Sequence, residues 1–479
     1  MNKFTGENEE ALFKEFVNLL ESHEKNSTNV LNYKSPIALK KELDLIFLEN
    51  NTKEVNKHDL LFETLHKSLF YSPNSRSPLF LSYLYSYPDK IGLLADWLIS
   101  YINSNVHTFE ASPIFSIAEQ EIIKLVCSKI GYSESSDGVF GPGGSYSNML
   151  AMLVARQNIK EDISKLVIYT SDQSHYSIMK SAILLGLKKE NIVNIDTDFK
   201  GKMNLDDLNQ KIKNSISEKK IPFFVNLNAG TTVLGSFDNI LGCKNILSNF
   251  KKIWFHLDAA WGGAVLFSDK YKNLLQDSEL CDSVTIDFHK SLNAPLLCSV
   301  VVLKKGNLLN NLIDVDDSYL FHENEDFIDM GKKTHQCGRR GDAFKFWLMW
   351  KIRGEKYFSD KLNTSFKNTN LVINKLKENA NFILYDENTE FFNVVFWVLP
   401  KSLDKRKYVS DYSQEELLIL ENSTKQIYDL MKKKGNMLIN YAYVKDLPAA
   451  FRLITANSKL NENEIEKIIN EFSILINDI

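Results

Sequence analysis

The sequence predicts an α/β protein built on a mostly parallel sheet covered on both faces, and three observations carry that expectation. Between residues 89 and 354, short apolar runs alternate with helical patterns, the texture of strands joined by crossover helices. Several of these runs end in polar residues, namely Asp172, Asn228, Asp258 and Lys290. In open parallel sheets ligands gather beyond the carboxyl ends of the strands, so those side chains mark a candidate site. The flanks read differently: residues 1–88 form a helical N-terminal segment, and 355–479 form a smaller α+β domain.

Each element has its own justification. Leu12, Phe13, Phe16, Leu19 and Leu20 have helical spacing, and the segment ends in the turn-rich YSPNSRSP and SYPD. The runs 166–172, 221–230, 252–260, 282–290 and 298–304 are short, apolar and rich in β-branched or aromatic residues, as buried strands are. Strands are again expected in 391–400 and around 451–457. In the last helix Asn461 and Glu464 are placed as an N-terminal cap, and Ile465, Ile468, Ile469 and Phe472 share one face.

Composition excludes several classes. Of 479 residues, 57 are Lys or Arg and 61 Asp or Glu, a formal charge of −4, so the polybasic footprint of a nucleic-acid binder is lacking. Hydrophobic residues make up 44%, too many for wholesale disorder. The cysteines at 127, 243, 281, 298 and 337 contain no CxxC pair; this argues against a disulfide framework or a metal site and for a reducing compartment. The N-terminus reads as an amphipathic helix rather than a signal peptide, and no apolar run approaches the roughly 18 residues of a membrane span. A soluble, cytoplasmic protein is expected.

Four features carry chemistry. VFGPGGSYSNMLAMLVAR (139–156) joins a strand end to an apolar helix through a Gly-rich turn, where backbone amides and the helix dipole suit a phosphate. It is neither a Walker loop nor GxGxxG. HLDAAWGG (256–263) puts Asp258 at the end of an otherwise apolar strand, followed by small residues that let a flat group approach; such a carboxylate needs a cationic partner. DFHKS (287–291) puts Lys290 at another strand end, where poor solvation would favour the nucleophilic amine. SDQSHYS (171–177) offers the flat ring of His175. Alone, each has a plainer reading as a tight connection, a turn cap, a solvated terminus or a satisfied loop histidine. Together they match a cofactor with a phosphate, a basic ring nitrogen, a planar ring and an aldehyde, which is pyridoxal phosphate.

The chain resembles the group II pyridoxal-phosphate decarboxylases of the aspartate-aminotransferase fold (fold type I), and among them the glutamate and cysteine-sulfinate decarboxylases. The resemblance runs through 94–115, 139–156, 175–187, 228–238, 256–266, 289–299, 319–321 and 336–350, and on through 393–400 and 451–458. It implies that Lys290 condenses with the cofactor aldehyde, that Asp258 pairs with the ring nitrogen and that His175 stacks on the ring. Gly144 and Ser145 would hold the phosphate with Ser299, lent by a partner subunit. Thr231 would lie near the phenolic oxygen, Ala260 and His289 would border the cofactor, and Arg452 would anchor a substrate carboxylate. A homodimer with shared sites follows from the resemblance as well.

Departures matter too. Where glutamate decarboxylases read NPHK, this chain has Asp287-Phe288-His289-Lys290, as diaminobutyrate and aspartate decarboxylases do; Tyr83 replaces a glutamine that binds glutamate's side chain. The stretch 322–335, after Tyr319, contains no tyrosine. A loop tyrosine there is expected to protonate the substrate carbon, and its position holds Phe327 or Ile328, with His322 the nearest substitute donor. The first expectation is decarboxylation of a small acidic amino acid (cysteine sulfinate, aspartate or glutamate) to the amine. The alternatives are an aldehyde-forming decarboxylase and an amino-acid decarboxylase for diaminobutyrate or an aromatic substrate, and, from another class, a cofactor-binding protein without turnover.

Overall fold

The computed structural model describes residues 9–43, 56–310, 312, 321 and 329–479. The chain divides into two compact units. One comprises Tyr87–Thr369 with Asn388–Asn393; the other joins Met1–Ser86 to Asn370–Glu387 and Val394–Ile479. One boundary, between Ser86 and Tyr87, falls close to the expected division at 88, whereas none falls at 354. The N-terminal segment clusters with the C-terminal region, and the helix Ala343–Glu378 runs through residue 354 with only a break at Gly354, whose φ is +74°.

The larger unit is built on seven strands: β1 (Asp137–Gly141), β2 (Leu166–Ser171), β3 (Ile192–Ile195), β4 (Ile221–Asn228), β5 (Trp254–Asp258), β6 (Ser283–Asp287) and β7 (Ser299–Leu303). Their order is β1-β7-β6-β5-β4-β2-β3. The run from β6 to β3 is parallel, while β7 is antiparallel to both β6 and β1. Every residue of β2, β5, β6 and β7 is buried, so these strands read as continuous apolar runs rather than alternating ones. The mostly parallel, doubly covered sheet expected from the sequence is the one observed.

The other unit contains β8 (Phe382–Leu384), β9 (Asn393–Val398), β10 (Asn440–Ala442) and β11 (Ala450–Ile454) in the order β10-β11-β9-β8. Its core gathers Leu376, Phe396, Ile427, Phe451, Ile468 and Phe472. The final helix, Glu462–Asn477, is capped as expected, with Asn461 Oδ1 accepting from the Glu464 amide at 3.2 Å. The N-terminal segment is tied in by backbone bonds: Leu81 N–H donates to the Leu438 carbonyl at 2.9 Å, and Val30 and Leu31 donate to Gly435 at 2.8 and 3.1 Å. No described helix is long and apolar enough to cross a membrane.

Two predictions follow from burial and backbone geometry. Gly435 ends the helix Gln414–Lys434 with φ +73°, and a Cβ there would stand 1.9 Å from the Leu31 carbonyl oxygen. Gly435→Ala should therefore lower stability by more than the about 1–2 kcal/mol of a left-handed L-residue alone, read as a drop in urea midpoint. His256, in the middle of β5, is fully buried, and burial pushes its imidazole down to about 3. The unfolded chain takes up that proton below about 6.5 while the folded one does not, so stability should fall as pH drops from 6.5 toward 3. Urea midpoints at pH 7.5 and 5 test the sign, and His256→Gln should weaken the dependence.

Candidate active site

The turn between β1 and the helix Gly144–Gln157 requires glycine twice. Gly143 adopts φ +99°, and a Cβ on Gly144 would lie 2.8 and 3.0 Å from the two carboxylate oxygens of Asp287. The Tyr146 and Ser147 amides return to the Gly143 carbonyl at 3.0 and 3.2 Å, while those of Gly144 and Ser145 lack a helical partner and face outward at the dipole's positive end. Behind the turn the helix is held by buried Leu150, Ala151, Met152 and Val154.

Of the residues expected at the cofactor, all but Ser299 line one cavity of about 300 Å³. Asp258 ends β5 and is buried. Its Oδ1 accepts from the Ala260 amide at 3.1 Å and its Oδ2 from Asn148 Nδ2 at 2.8 Å. His175 follows β2 and is held by Ser177, whose Oγ lies 2.8 Å from its Nδ1. Burial pushes this imidazole below its ordinary range; Asp258 pulls it up and Lys290 pushes it further down. Thr231 stands in a tight turn, its Oγ1 accepting from the Ser236 amide at 3.1 Å. The small residues after Asp258 serve close packing: Gly262 N–H donates to the Ala229 carbonyl at 2.8 Å, and a Cβ there would stand 2.5 Å from that oxygen.

Lys290 departs from expectation in one respect. β6 ends at Asp287, so Lys290 sits in the turn beyond the strand, and its surroundings are ionic rather than apolar: Nζ lies 3.1 Å from Asp287 Oδ2. Asp287 is buried, and burial pushes its carboxyl up, but Lys290 and His289 prevail and hold it below the ordinary aspartate range. His289 Nε2 is 3.7 Å from the same oxygen. Asp287 Oδ1 is buried with no hydrogen-bond partner among the described residues and lies 3.0 Å from where a Cβ on Gly144 would stand.

Other expected residues are placed elsewhere. Ser299 opens β7, fully buried, with its hydroxyl 2.8 Å from Ser147 Oγ of the same chain. Asp172 is exposed and accepts from Thr197 Oγ1 at 2.8 Å, away from the cavity. Arg452 lies on β11 in the other unit, where Nη2 donates to the Ser82 carbonyl at 2.8 Å, beside Tyr83, and burial pushes its guanidinium down to about 10. Tyr83 is half-exposed and stacks on Tyr85, 5.3 Å between ring centroids. Tyr319, His322, Phe327 and Ile328 lie outside the described residues.

Sequence reasoning missed Asn148 and Ser177, which also line the cavity. Asn148 had a signal: it is the polar interruption of an apolar helix, four residues after Gly144 and hence on the same face.

The donor set fits pyridoxal phosphate. The turn offers amides for a phosphate, Lys290 an amine, Asp258 a carboxylate and His175 a flat ring, all on one cavity wide enough for a small planar ligand. Among the described residues no cluster of His, Cys, Asp and Glu is placed to hold a metal.

Comparison with known proteins agrees. Residues 40–399 match the pyridoxal-dependent decarboxylase conserved domain. The chain is 35% identical to cysteine sulfinic acid decarboxylase of Mus musculus, covering 95% of this chain and 92% of that protein. It is 33% identical to an acidic amino acid decarboxylase of Xenopus tropicalis, covering 94% and 88%. The crystal structure of mouse CSAD in apo form superposes with a TM-score of 0.90 at 32% identity, over 97% of this chain and 98% of that one. The glutamate decarboxylase domain of a diaminobutyrate-pyruvate transaminase and L-2,4-diaminobutyrate decarboxylase from Vibrio parahaemolyticus shares the fold, with a TM-score of 0.85 at 20% identity over 100% and 97%. The chain therefore belongs to the pyridoxal-dependent decarboxylase family and is an amino-acid decarboxylase that uses pyridoxal phosphate.

Proposed function

We propose that this enzyme removes the α-carboxylate of a small acidic L-amino acid (cysteine sulfinate, aspartate or glutamate) and releases the amine. The observation that carries the reading is the Lys290 amine, held 3.1 Å from Asp287 in the cavity that Asp258 and His175 also line. The acidic substrate class is supported by the relatives, which are named for cysteine sulfinic acid and for acidic amino acids.

Bound pyridoxal phosphate supplies the electron sink for the pair that departing carbon dioxide leaves behind. The chain's residues do the rest. Gly144 and Ser145 would hold the phosphate through their amides, and Lys290 would offer Nζ to the aldehyde, oriented by Asp287. Asp258 would keep a proton on the ring nitrogen; both its oxygens are already steadied by donors. His175 would cover the ring, Thr231 would serve the phenolic oxygen, Ala260 and His289 would close the walls, and Arg452 would anchor a substrate carboxylate. Ser299 supports the turn through Ser147. A cytoplasmic homodimer is part of the proposal. Five free cysteines support the compartment, and the helix Lys90–Ile102 supports the dimer by exposing Leu94, Trp97, Leu98 and Tyr101 to solvent.

A second reading rests on the tyrosine-free stretch 322–335. If no group there protonates the substrate carbon, an aldehyde would result in one of two balanced ways: the proton goes to the cofactor, which keeps the amino group as pyridoxamine phosphate while water supplies the aldehyde oxygen, or dioxygen acts as the oxidant and ammonia is released. Proton donation is worth about 10²–10⁴-fold, so His322→Ala should slow amine formation strongly if His322 serves. Assay of carbon dioxide, amine and aldehyde across the amino acids, cysteine sulfinate and diaminobutyrate decides: one amine per carbon dioxide from an acidic substrate is expected, whereas turnover of aromatic or basic substrates alone would overturn the acidic reading. Lys290→Ala should abolish turnover with the fold intact. Borohydride-treated parent should carry its label in the peptide spanning 282–304, and a label elsewhere would remove Lys290 from its role.

A further inference from the structure

Behind the cavity runs a chain of hydrogen bonds whose direction is forced at both ends. Trp254 Nε1, which can only donate, lies 2.8 Å from Ser283 Oγ. Ser283 therefore accepts there and has its own proton to give to His256 Nδ1, 2.8 Å away. At the far end Asp258 accepts from Asn148 Nδ2 at 2.8 Å, which fixes the amide orientation and turns Asn148 Oδ1 toward His256 Nε2 at 3.1 Å. That nitrogen must carry the imidazole proton. The second N–H of Asn148 points at Ser177 Oγ, 3.4 Å away, and Ser177 is the group that holds His175.

The arrangement follows from strand geometry. Period two puts Trp254, His256 and Asp258 on one face of β5, and the β5–β6 register sets Ser283 opposite His256. The helix Gly144–Gln157 carries Asn148 over that face, within reach of both His256 and Asp258. All of these residues are buried, with His256 and Ser283 fully so, hence no water competes for the bond between those two.

We propose that His256 is a positioning residue: by donating from Nε2 it locks the Asn148 amide, so that one side chain steadies both the ring-nitrogen carboxylate Asp258 and, through Ser177, the stacking His175. This rests on the reading of Asp258 as the ring-nitrogen partner. Without the His256 donor the amide is free to flip and turn its oxygen onto Asp258, which repels it. Phenylalanine at 256 cannot donate, whereas glutamine can. His256 touches neither substrate nor cofactor and is buried behind Asn148.

The test combines cofactor affinity with the ring-nitrogen signal of ¹⁵N-labelled pyridoxal phosphate, on parent, His256→Phe, His256→Gln, Asn148→Leu and Asp258→Asn. His256→Phe and Asn148→Leu should bind the cofactor on the order of ten-fold more weakly and shift the ring nitrogen toward its unprotonated signal, with His256→Gln close to parent. Asn148→Leu serves should His256→Phe not fold. A merely structural role for His256 predicts lowered melting with a parent-like nitrogen signal. That result, or parent affinity in His256→Phe or Asn148→Leu, overturns the proposal. If the parent's own ring nitrogen is unprotonated, or Asp258→Asn leaves it unchanged, the Asp258 reading falls instead and takes the relay's purpose with it.

Discussion

A carboxylate at the end of a wholly buried strand is the constraint on which the larger unit depends. Asp258 closes β5, whose other residues are all buried, and removing such a charge from water is costly unless hydrogen bonds replace the solvent. The neighbouring elements supply them. The amide of Ala260 reaches back to one oxygen because the residues after Asp258 are small enough to turn sharply, and Asn148 reaches the other because the glycine turn lets its helix start directly over the strand end. The same close packing puts Thr231 and the cavity wall in place. The site is thus a consequence of how the sheet satisfies one charge at its edge.

Much of this was legible in the sequence because it was written in local pattern. Apolar runs ending in Asp258 and Asn228 are strands whose ends line the cavity, and the GPGGS turn announces a helix start, whereas the run read as ending in Lys290 stops as a strand at Asp287. What was not legible depends on pairings distant in sequence. His256 reads as part of an apolar strand until the register of β6 brings Ser283 opposite it. β7 reads like its parallel neighbours, yet it runs antiparallel between β6 and β1, because only eleven residues, 288–298, separate β6 from β7, too few for a crossover helix. The N-terminal segment gave no sign that residues 30–31 would bond to Gly435, since a single backbone glycine carries that contact.

Charge balance at the glycine turn distinguishes this chain from the NPHK pattern. An asparagine beside the phosphate amides would be neutral, whereas Asp287 is anionic, held so by Lys290 and His289 against the push of burial. A phosphate on the turn would bring further negative charge toward Asp287 Oδ1, which is buried and has no donor among the described residues. Like charges at such separation in a dry site are strongly unfavourable unless a proton or a cation is shared between them. Lys290 is such a cation at 3.1 Å; His289 stands 3.7 Å away, but burial pushes its imidazole below its ordinary range, which disfavours the charged form. On the proposed reading of Lys290 as the amine that meets the cofactor, the same lysine would also be a counter-charge of the glycine turn, so that phosphate and aldehyde would be met by a single electrostatic unit rather than by two independent subsites.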